Sequence, residues 1–405
     1  PAGAPAGAAV LRGDGRKPSI AFVTPAVSPA AVPPSSTYVP WVDASDEDGI
    51  ETIELFLGAE STEPCFVLRM PEDSWPPRKG CAIPDLPEGT QLTLVARATD
   101  GVGESAEARS VLVVREGLRI RGPALLAERG DELADATLYV EGEVAVEGEI
   151  LVGELHLRAG AALRPSAAGA TPHAIRILAS GDLVLDAGST IDVSATGTWH
   201  ASELDPGAAP DREGDGGPHG GDAGAEGRIR AAYGSASEPV LPGARGGVAG
   251  TFGGGVVSLF AKRIVLAGVV EANGEDGNAD RPAWRGLGAG GSVFLVAEEM
   301  VTGPVETDAR DVEDRRWGFL SARGGAPSPV EAVPFAGAFA AGGRLSLSAL
   351  RLVLPLLDVS GTQALDGTVS GRPGTIFVRD ALRPDGVLLV PPATGGEASP
   401  SGDAP

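Results

Sequence analysis

The segment Gly254-Gly-Val-Val-Ser-Leu-Phe-Ala261 decides the fold, because the chain carries three further versions of it. They are Ala174-Ile-Arg-Ile-Leu-Ala179, Gly290-Gly-Ser-Val-Phe-Leu-Val-Ala297 and Gly342-Gly-Arg-Leu-Ser-Leu-Ser-Ala349. In each version an aliphatic residue recurs at every second position and the segment ends on alanine. That period predicts a β-strand with one buried face.

Each version is followed by a second short apolar run and then by a third run that ends in small residues. The third runs are Ile191–Ala195, Val269–Asn273, Leu320–Gly324 and Leu357–Gly361. Short apolar triplets, each closed by Gly or Glu, already recur between Thr137 and Leu163. Strands of three to five residues without helices between them predict a parallel β-helix, a solenoid. The general bias of parallel crossovers makes it right-handed.

Residues 196–253, 274–289 and 303–341 interrupt this repeat as glycine-rich insertions. Loops inserted into a repeat stack are free to carry recognition and contribute little to its core. We therefore expect the glycine-rich stretch Gly214–Gly227 to be dispensable for stability.

The N-terminal quarter has a different texture. Six apolar runs separated by turn signals lie between Ser19 and Val114: Ile20–Val23, Tyr38–Val42, Ile50–Leu57, Cys65–Met70, Leu92–Ala96 and Ser110–Val114. Such spacing predicts a β-sandwich. The expected all-β organisation is a flexible linker at 1–17, an immunoglobulin-like β-sandwich at 18–116, the parallel β-helix at 117–390 and a disordered tail at 391–405.

Two parts of the chain resemble known families. Val42-Asp-Ala-Ser-Asp-Glu-Asp-Gly-Ile50 and Ala96-Arg-Ala-Thr-Asp-Gly101 resemble turns of bacterial immunoglobulin-like and cadherin-like surface domains. The repeats after residue 117 resemble the glycine-rich β-helix repeats of secreted bacterial surface proteins and adhesins. The resemblance implies spacer and display roles at a cell surface, and it implies nothing specific about a ligand.

Composition and charge exclude some classes of binding partner. The 405 residues include 55 acidic and 32 basic ones, for a net charge of −23. A field of that sign repels phosphate backbones and anionic headgroups, so we expect no nucleic-acid partner. No run approaches the roughly 20 apolar residues that span a bilayer, so we expect no membrane span. Because aromatic residues make up only 4%, the core must be built from Val, Leu, Ile and Ala.

The two cysteines, Cys65 and Cys81, indicate the compartment. Two thiols cannot form a structural zinc site alone, and their spacing is not that of a redox pair. A disulfide fits this spacing, and two reduced buried thiols are the alternative. A disulfide predicts an extracellular or outer-surface location. Because the sequence starts with Pro, we expect a mature form from which a signal peptide has been removed.

Three aspartates are candidate calcium ligands. Asp46, Asp48 and Asp100 lie in two loops that a sandwich would bring to one end, and calcium takes six to eight oxygen ligands. The alternative is that each carboxylate caps its own tight turn before Gly49 or Gly101.

Three tryptophans are candidate ligand contacts. Trp199, Trp284 and Trp317 all lie in insertions, where an exposed indole offers a face on which a sugar stacks. The alternative is that they cover small apolar clusters beneath the loops.

The sequence favours an extracellular structural or adhesive protein that presents loops from a rigid β-solenoid to a cell-surface glycan or protein. One alternative is a polysaccharide-degrading lyase or glycosidase, since pectin lyases share the predicted fold. That activity would require carboxylates with Arg or Lys on one exposed sheet, whereas the outward strand positions are mostly Ser, Thr, Val and Ala. The other alternative is a subunit of an extracellular fibre or sheath that self-assembles end to end. No residue is nominated as catalytic.

Overall fold

The computed structural model shows an all-β protein. The described residues are 16–24, 28–70, 80–127, 133–167, 173–199, 203, 217–225, 228–247, 250–277, 286–302, 318–327, 340–361 and 371–391. Every regular element in these ranges is a β-strand, and they contain no helix long and apolar enough to cross a membrane. The chain divides into two compact units, Pro1–Glu116 and Gly117–Pro405. Most of the expected linker and tail lies outside the described residues.

The first unit contains nine strands in its described part. They are β1 (Ser19–Thr24), β2 (Ala30–Val32), β3 (Ser36–Tyr38), β4 (Trp41–Ser45), β5 (Ile50–Leu57), β6 (Phe66–Arg69), β7 (Cys81–Ile83), β8 (Gln91–Asp100) and β9 (Ser105–Val114). Five predicted runs coincide with strands. The sixth, Tyr38–Val42, is divided between β3 and β4 at Pro40, which has no N–H for a ladder.

The strands of the first unit form three sheets around one core. The largest has the order β2-β9-β8-β5-β6, and β1 pairs with β4 while β3 pairs with β7. All of these pairs are antiparallel except β2 with β9. Buried residues from all three sheets contact one another, among them Tyr38, Val42, Leu55, Ile83 and Leu94. Along β3, β7 and the second half of β9, buried residues alternate with more exposed ones, as expected of strands with one buried face.

The second unit contains twenty strands in its described part. They are β10 (Leu118–Ile120), β11 (Ala124–Ala127), β12 (Thr137–Val140), β13 (Glu143–Glu147), β14 (Glu149–Val152), β15 (Glu154–Leu157), β16 (Ala162–Pro165), β17 (Ala174–Ala179), β18 (Asp182–Leu185), β19 (Thr190–Asp192), β20 (Ala223–Ala225), β21 (Arg228–Arg230), β22 (Val256–Leu266), β23 (Val269–Glu271), β24 (Ser292–Thr302), β25 (Phe319–Ser321), β26 (Arg344–Leu352), β27 (Leu356–Asp358), β28 (Thr375–Asp380) and β29 (Arg383–Leu389).

Two parallel sheets contain most of these strands. The long sheet has the order β10-β12-β15-β18-β22-β24-β26-β28 and ends on the antiparallel strand β29. Strands β14 and β17 belong to it as well, because β22 pairs with β17 through its first half and with β18 through its second. The short sheet has the order β11-β13-β16-β19-β23-β25-β27. From β17 onward, each pass of the chain crosses the long sheet and then the short one.

In-register columns of aliphatic side chains form the core of the second unit. One column of the long sheet is Leu138, Leu155, Leu183, Ile264, Met300 and Leu352. A second is Ile150, Ile177, Leu259, Leu295, Leu347 and Val378. The short sheet contributes Val144, Leu163, Ile191, Val270, Leu320 and Leu357. These columns belong to one continuous core, which needs no aromatic side chains.

Glycine-rich segments return the chain from the short sheet to the long sheet. We call the stretches 193–197, 250–255, 272–277, 286–291, 322–327, 340–343, 359–361 and 371–374 the glycine segments. They hydrogen-bond to one another through their backbones, although they are not strands. The Gly254 N–H donates to the Ala289 carbonyl at 2.8 Å, and the Gly291 N–H donates to the Ala272 carbonyl at 2.6 Å. Buried backbone groups require such partners.

Only glycine fits at many of these positions. A Cβ atom added at Gly254 would overlap the carbonyl oxygen of Ala272, and one at Gly290 would overlap that of Ala322. The neighbouring atoms belong to backbone and cannot rotate away. The abundance of glycine in this chain therefore reflects close approach of backbones in a buried layer.

We predict that Gly254→Ala destabilises the second unit more than Gly160→Ala does. Gly160 has a positive φ of 81° and no atom within 4 Å of an added Cβ, so alanine there meets backbone strain of about 1–2 kcal/mol. Alanine at Gly254 must separate two glycine segments, and overpacking of this kind costs about 1–3 kcal/mol or more. Chemical denaturation measures both free energies of unfolding. A larger loss of stability for Gly160→Ala than for Gly254→Ala would show that the glycine segments can separate at little energetic cost.

Candidate functional site

The three predicted calcium ligands lie in two neighbouring turns of the first unit. Asp46 Oδ1 accepts the N–H of Asp48 at 2.8 Å, which is a local turn contact. Asp100 is fully buried, and its Oδ1 accepts the N–H groups of Val102 and Glu104 at 2.9 and 2.8 Å. The two turns meet where the Gly101 N–H donates to the Gly49 carbonyl at 3.1 Å. The carboxylates of Asp46 and Asp100 thus hold turns, as the alternative interpretation expects.

The other carboxylate oxygen of Asp100 distinguishes this turn from an ordinary one. Oδ2 is buried and has no hydrogen-bond partner in the described part of the chain. Across that part, no group of three or more His, Cys, Asp or Glu side chains is arranged to hold a metal ion. Calcium binding by these residues stays a prediction.

Cys65 and Cys81 form the predicted disulfide, with their Cα atoms 5.2 Å apart. Cys65 immediately precedes β6 in the five-stranded sheet, and Cys81 begins β7 in a two-stranded sheet. The bond therefore links two sheets of the first unit directly. Closing a loop of this size stabilises a fold by about 3 kcal/mol in the chain-entropy model.

Of the three predicted tryptophan contacts, the structure describes one. Trp199 is half-buried, and its ring meets His173 edge-on with the ring centroids 4.1 Å apart. Its carbonyl accepts the N–H of Arg245 at 2.9 Å. Trp284 and Trp317 lie outside the described residues.

The first insertion differs from the expected free loop. Its described residues 217–221 are buried, and with 243–247 they extend the layer of glycine segments. The Gly243 N–H donates to the Gly254 carbonyl at 2.9 Å, and the Ala341 N–H donates to the Gly217 carbonyl at 3.0 Å. The described glycines Gly217 and Gly220 contact the stack, which argues against the expectation that Gly214–Gly227 is dispensable, and the outcome of deleting this stretch stays a prediction.

A buried arginine fastens this insertion to the long sheet. Arg344, at the start of β26, donates from Nε and Nη2 to the Tyr233 carbonyl at 3.1 and 2.8 Å. Its Nη1 donates to Thr375 Oγ1 at 2.9 Å. Desolvation lowers the pKa of Arg344, yet its donors keep partners from both the insertion and the sheet. Removing the Arg344 guanidinium would leave buried carbonyl oxygens without a hydrogen-bond donor.

His219 completes the same buried contact. Its Nε2 lies 2.9 Å from Ser292 Oγ, and that hydroxyl donates to the Leu241 carbonyl at 2.6 Å. Because the single hydroxyl hydrogen is used there, His219 Nε2 must carry a proton and donate it. Burial, assisted by the nearby charge of Arg344, lowers the pKa of His219 to about 3. The ring is therefore neutral at neutral pH.

The outer face of the long sheet also carries an open groove of about 570 Å³, which we call the apolar groove. Its lining is mostly aliphatic and includes Leu151, Leu178, Phe260, Val296 and Leu350. The first four are in-register partners on β14, β17, β22 and β24, so the groove crosses the strands. An outward apolar column on a parallel sheet makes a continuous apolar strip on the surface.

Charged side chains border the groove in pairs. Arg176 contacts Glu149, and its guanidinium lies 5.4 Å from the centre of the Phe260 ring. On two other strands of the long sheet, Arg263 of β22 forms an ion pair with Asp182, its in-register partner on β18. These charges are distributed between neighbouring strands as ion pairs.

Sequence reasoning missed the apolar groove, although a signal was present. The residue before the final alanine of the repeated segment is Leu178, Phe260 and Val296 in the first three copies and Ser348 in the last. In a strand with one buried face, that position points outward. An apolar residue repeated there marks a surface strip, because nothing in the core requires it.

Neither a protein-family model, nor a curated protein, nor a solved structure matches this chain. The inferences about its function therefore rest on its own residues.

We predict the outcome of removing calcium from the first unit. If Asp46, Asp48 and Asp100 bind the ion, EDTA lowers the melting temperature, because a ligand of the native state stabilises it by mass action. Asp48→Ala then abolishes the effect of EDTA, whereas Glu47→Ala, an exposed neighbour, preserves it. Calorimetry of the full chain with and without EDTA measures this. An identical melt under both conditions would leave the aspartates only their turn contacts.

We also predict a pH dependence that originates at His219. The unfolded chain protonates this ring below its ordinary pKa near 6.5, whereas the folded chain resists protonation down to about 3. The free energy of unfolding therefore falls as the pH falls between these values, by up to about 1.4 kcal/mol per pH unit. In denaturation curves from pH 7 to pH 4, His219→Gln should show a shallower slope than the unaltered chain. Parallel slopes would place the pH sensitivity elsewhere.

Proposed function

We propose that this chain is an extracellular structural and adhesive protein, in which a rigid β-solenoid presents an attachment surface. The observation that carries the proposal is the repeated, in-register stacking of long strands, short strands and glycine segments. A stack of this kind propagates one geometry along its length, which suits a spacer.

The finer architecture is part of the same proposal. We assign the second unit to a right-handed parallel β-helix, since its chain alternates between two parallel sheets and parallel crossovers are right-handed in nearly all cases. We assign the first unit to the immunoglobulin-like sandwiches, on its largely antiparallel sheets around one core and the resemblance of the turns near Asp46 and Asp100. Domains of this class commonly act as spacers.

The rigidity of the stack supports a structural role. Gly343 donates its N–H to the Ala322 carbonyl at 2.6 Å, and Gly374 donates to the Val359 carbonyl at 2.7 Å. Equivalent bonds recur on successive passes, so bending the stack would break several buried hydrogen bonds together. Leaving a buried backbone group without a partner costs about 1–3 kcal/mol each.

The apolar groove supports an adhesive role. An aliphatic strip bordered by paired charges suits a segment of a partner protein that presents apolar side chains, because binding removes both surfaces from water. Trp199 is a second candidate contact, since a half-buried indole on a loop can stack on a sugar. The partner that we propose is accordingly a cell-surface protein or glycan.

The disulfide supports an extracellular location. Bonds such as Cys65–Cys81 persist in oxidising compartments and are rare in reducing ones. The surplus of acidic residues keeps separate copies soluble outside the cell and does not favour anionic membrane surfaces.

A cell-binding assay tests this proposal. Fluorescently labelled full chain is titrated onto intact bacterial cells, together with the double variant Phe260→Ser/Val296→Ser, the variant Trp199→Ala and the control Leu125→Ser. Leu125 is exposed in the same unit but is absent from the groove lining. We expect the groove variant to bind at least ten times more weakly, a loss of about 1.4 kcal/mol, with an unchanged melting temperature.

The other results of this assay are also informative. A decrease in binding only for Trp199→Ala would locate the adhesive contact at the indole and favour a glycan. Equal binding by all four proteins, each folded, would contradict an attachment surface at either place. Binding by none of them would contradict the adhesive role itself.

A further inference from the structure

The C-terminal end of the second unit exposes a concentration of aliphatic side chains. Of the fourteen exposed large hydrophobic residues in the described part of the chain, nine lie between residues 350 and 390. Eight of them form what we call the apolar end: Val353, Leu354, Leu356, Leu382 and Val387–Val390. They lie on or next to β27 and β29, the last strands of the short and long sheets. Exposed patches of this size mark interaction surfaces.

Strand β29 gives the apolar end an open edge. It runs antiparallel to β28, and in the described residues β28 is the one strand with which it pairs. In the part of the chain that the structure describes, no strand pairs with its other edge, and natural proteins normally protect such an edge with charges or short strands. Strand β29 begins with Arg383, Pro384 and Asp385, whereas the run that follows, Gly386-Val-Leu-Leu-Val390, carries no charge.

We propose that β29 pairs with β29 of a second copy of this chain, antiparallel and about a twofold axis at Leu388. An antiparallel strand pair has twofold symmetry, so one edge strand is complementary to itself. Leu388 is the middle residue of the apolar run, and centring the axis there pairs Val387 with Leu389 of the partner. Pro391 and Pro392 follow the run and limit the paired seam to its five residues.

Three observations favour a second copy over other occupants. Residues 392–405 contain no Val, Leu, Ile, Met, Phe, Tyr or Trp, so this segment cannot bury the apolar end. The eight side chains of the apolar end suit an interface of ordinary size, which takes roughly 800 Å² from each partner. The run from Gly386 to Gly396 carries no charge in a chain of net charge −23, so the seam opposes no like charges.

The charge of the rest of the molecule distinguishes an apolar seam from an interface built on ion pairs. Two copies of a strongly acidic chain repel one another at long range, and salt screens that repulsion. An apolar seam between them should therefore strengthen as the ionic strength rises. An interface built on ion pairs would weaken under the same conditions.

The experiment measures the mass of the full chain by light scattering over a dilution series, at low and at high salt. We expect a dimer that dissociates on dilution and tightens with salt. Leu388→Lys places two ammonium groups opposite each other at the axis, so it should shift the dimer toward monomer by at least tenfold. Leu388 is 52% exposed in the single chain, so the variant should fold. Leu125→Lys, at a residue of the same unit that is 51% exposed and lies outside the apolar end, is the matched control.

A crosslink identifies the axis independently. Opposite residues of an antiparallel pair have Cα atoms about 4.5–5.5 Å apart, which is within the range that a disulfide bridges. Leu388→Cys should therefore form a covalent dimer under oxidation, whereas Leu382→Cys should not. A chain that is monomeric at every concentration would overturn the proposal. A dimer that Leu388→Lys does not weaken and Leu388→Cys does not crosslink would overturn it too, by placing the interface elsewhere. The adhesive role proposed above does not depend on either result.

Discussion

The second unit depends on the close approach of backbones in its glycine segments. At Gly254 and Gly343 a side chain of any size would overlap a carbonyl oxygen of an adjacent segment. The absence of Cβ atoms lets neighbouring segments exchange N–H and carbonyl groups directly, so a buried, non-strand layer keeps its hydrogen bonds. Since the glycine segments 250–255, 286–291, 340–343 and 371–374 lead directly into strands of the long sheet, the spacing of these segments also determines the register of the strands that follow.

That register explains the composition of the core. Because the passes that contain Leu259, Leu295 and Leu347 start from equivalent glycine segments, these three residues arrive above one another. Aliphatic side chains of similar shape fill such a column well, so the unit can do without large aromatic ones. The same register places outward residues in columns, which is why Leu178, Phe260 and Val296 form a continuous groove wall.

The repeating part of the structure could be predicted from the sequence, and the non-repeating part could not. The four versions of the long strand and their third strands recur at equivalent positions, so local pattern alone identifies them. The contact of Arg344 with Tyr233 joins residues more than one hundred positions apart. No local signal precedes such a contact, and the insertion was therefore expected to be a free loop. In the first unit, β2 and β7 were missed because three residues are too few to show a period.

Recognition in a repeating structure belongs where the repeat is broken. Within the stack, each strand pairs with a strand of the next pass, and each inward side chain packs against its neighbours in the column. Little of the surface therefore differs from one pass to the next. The first insertion interrupts the repeat, but the buried contacts of Arg344 and His219 bind it to the long sheet. It is therefore part of the rigid structure. The groove remains open beside it. At the C-terminal end no further pass follows β28, and the chain reverses into an antiparallel strand. That reversal pairs β29 with the backbone of β28 at Ile376 and Val378. It also moves the edge of the sheet outward to β29, whose last residues carry no charge, and in the described residues no further strand pairs with that edge.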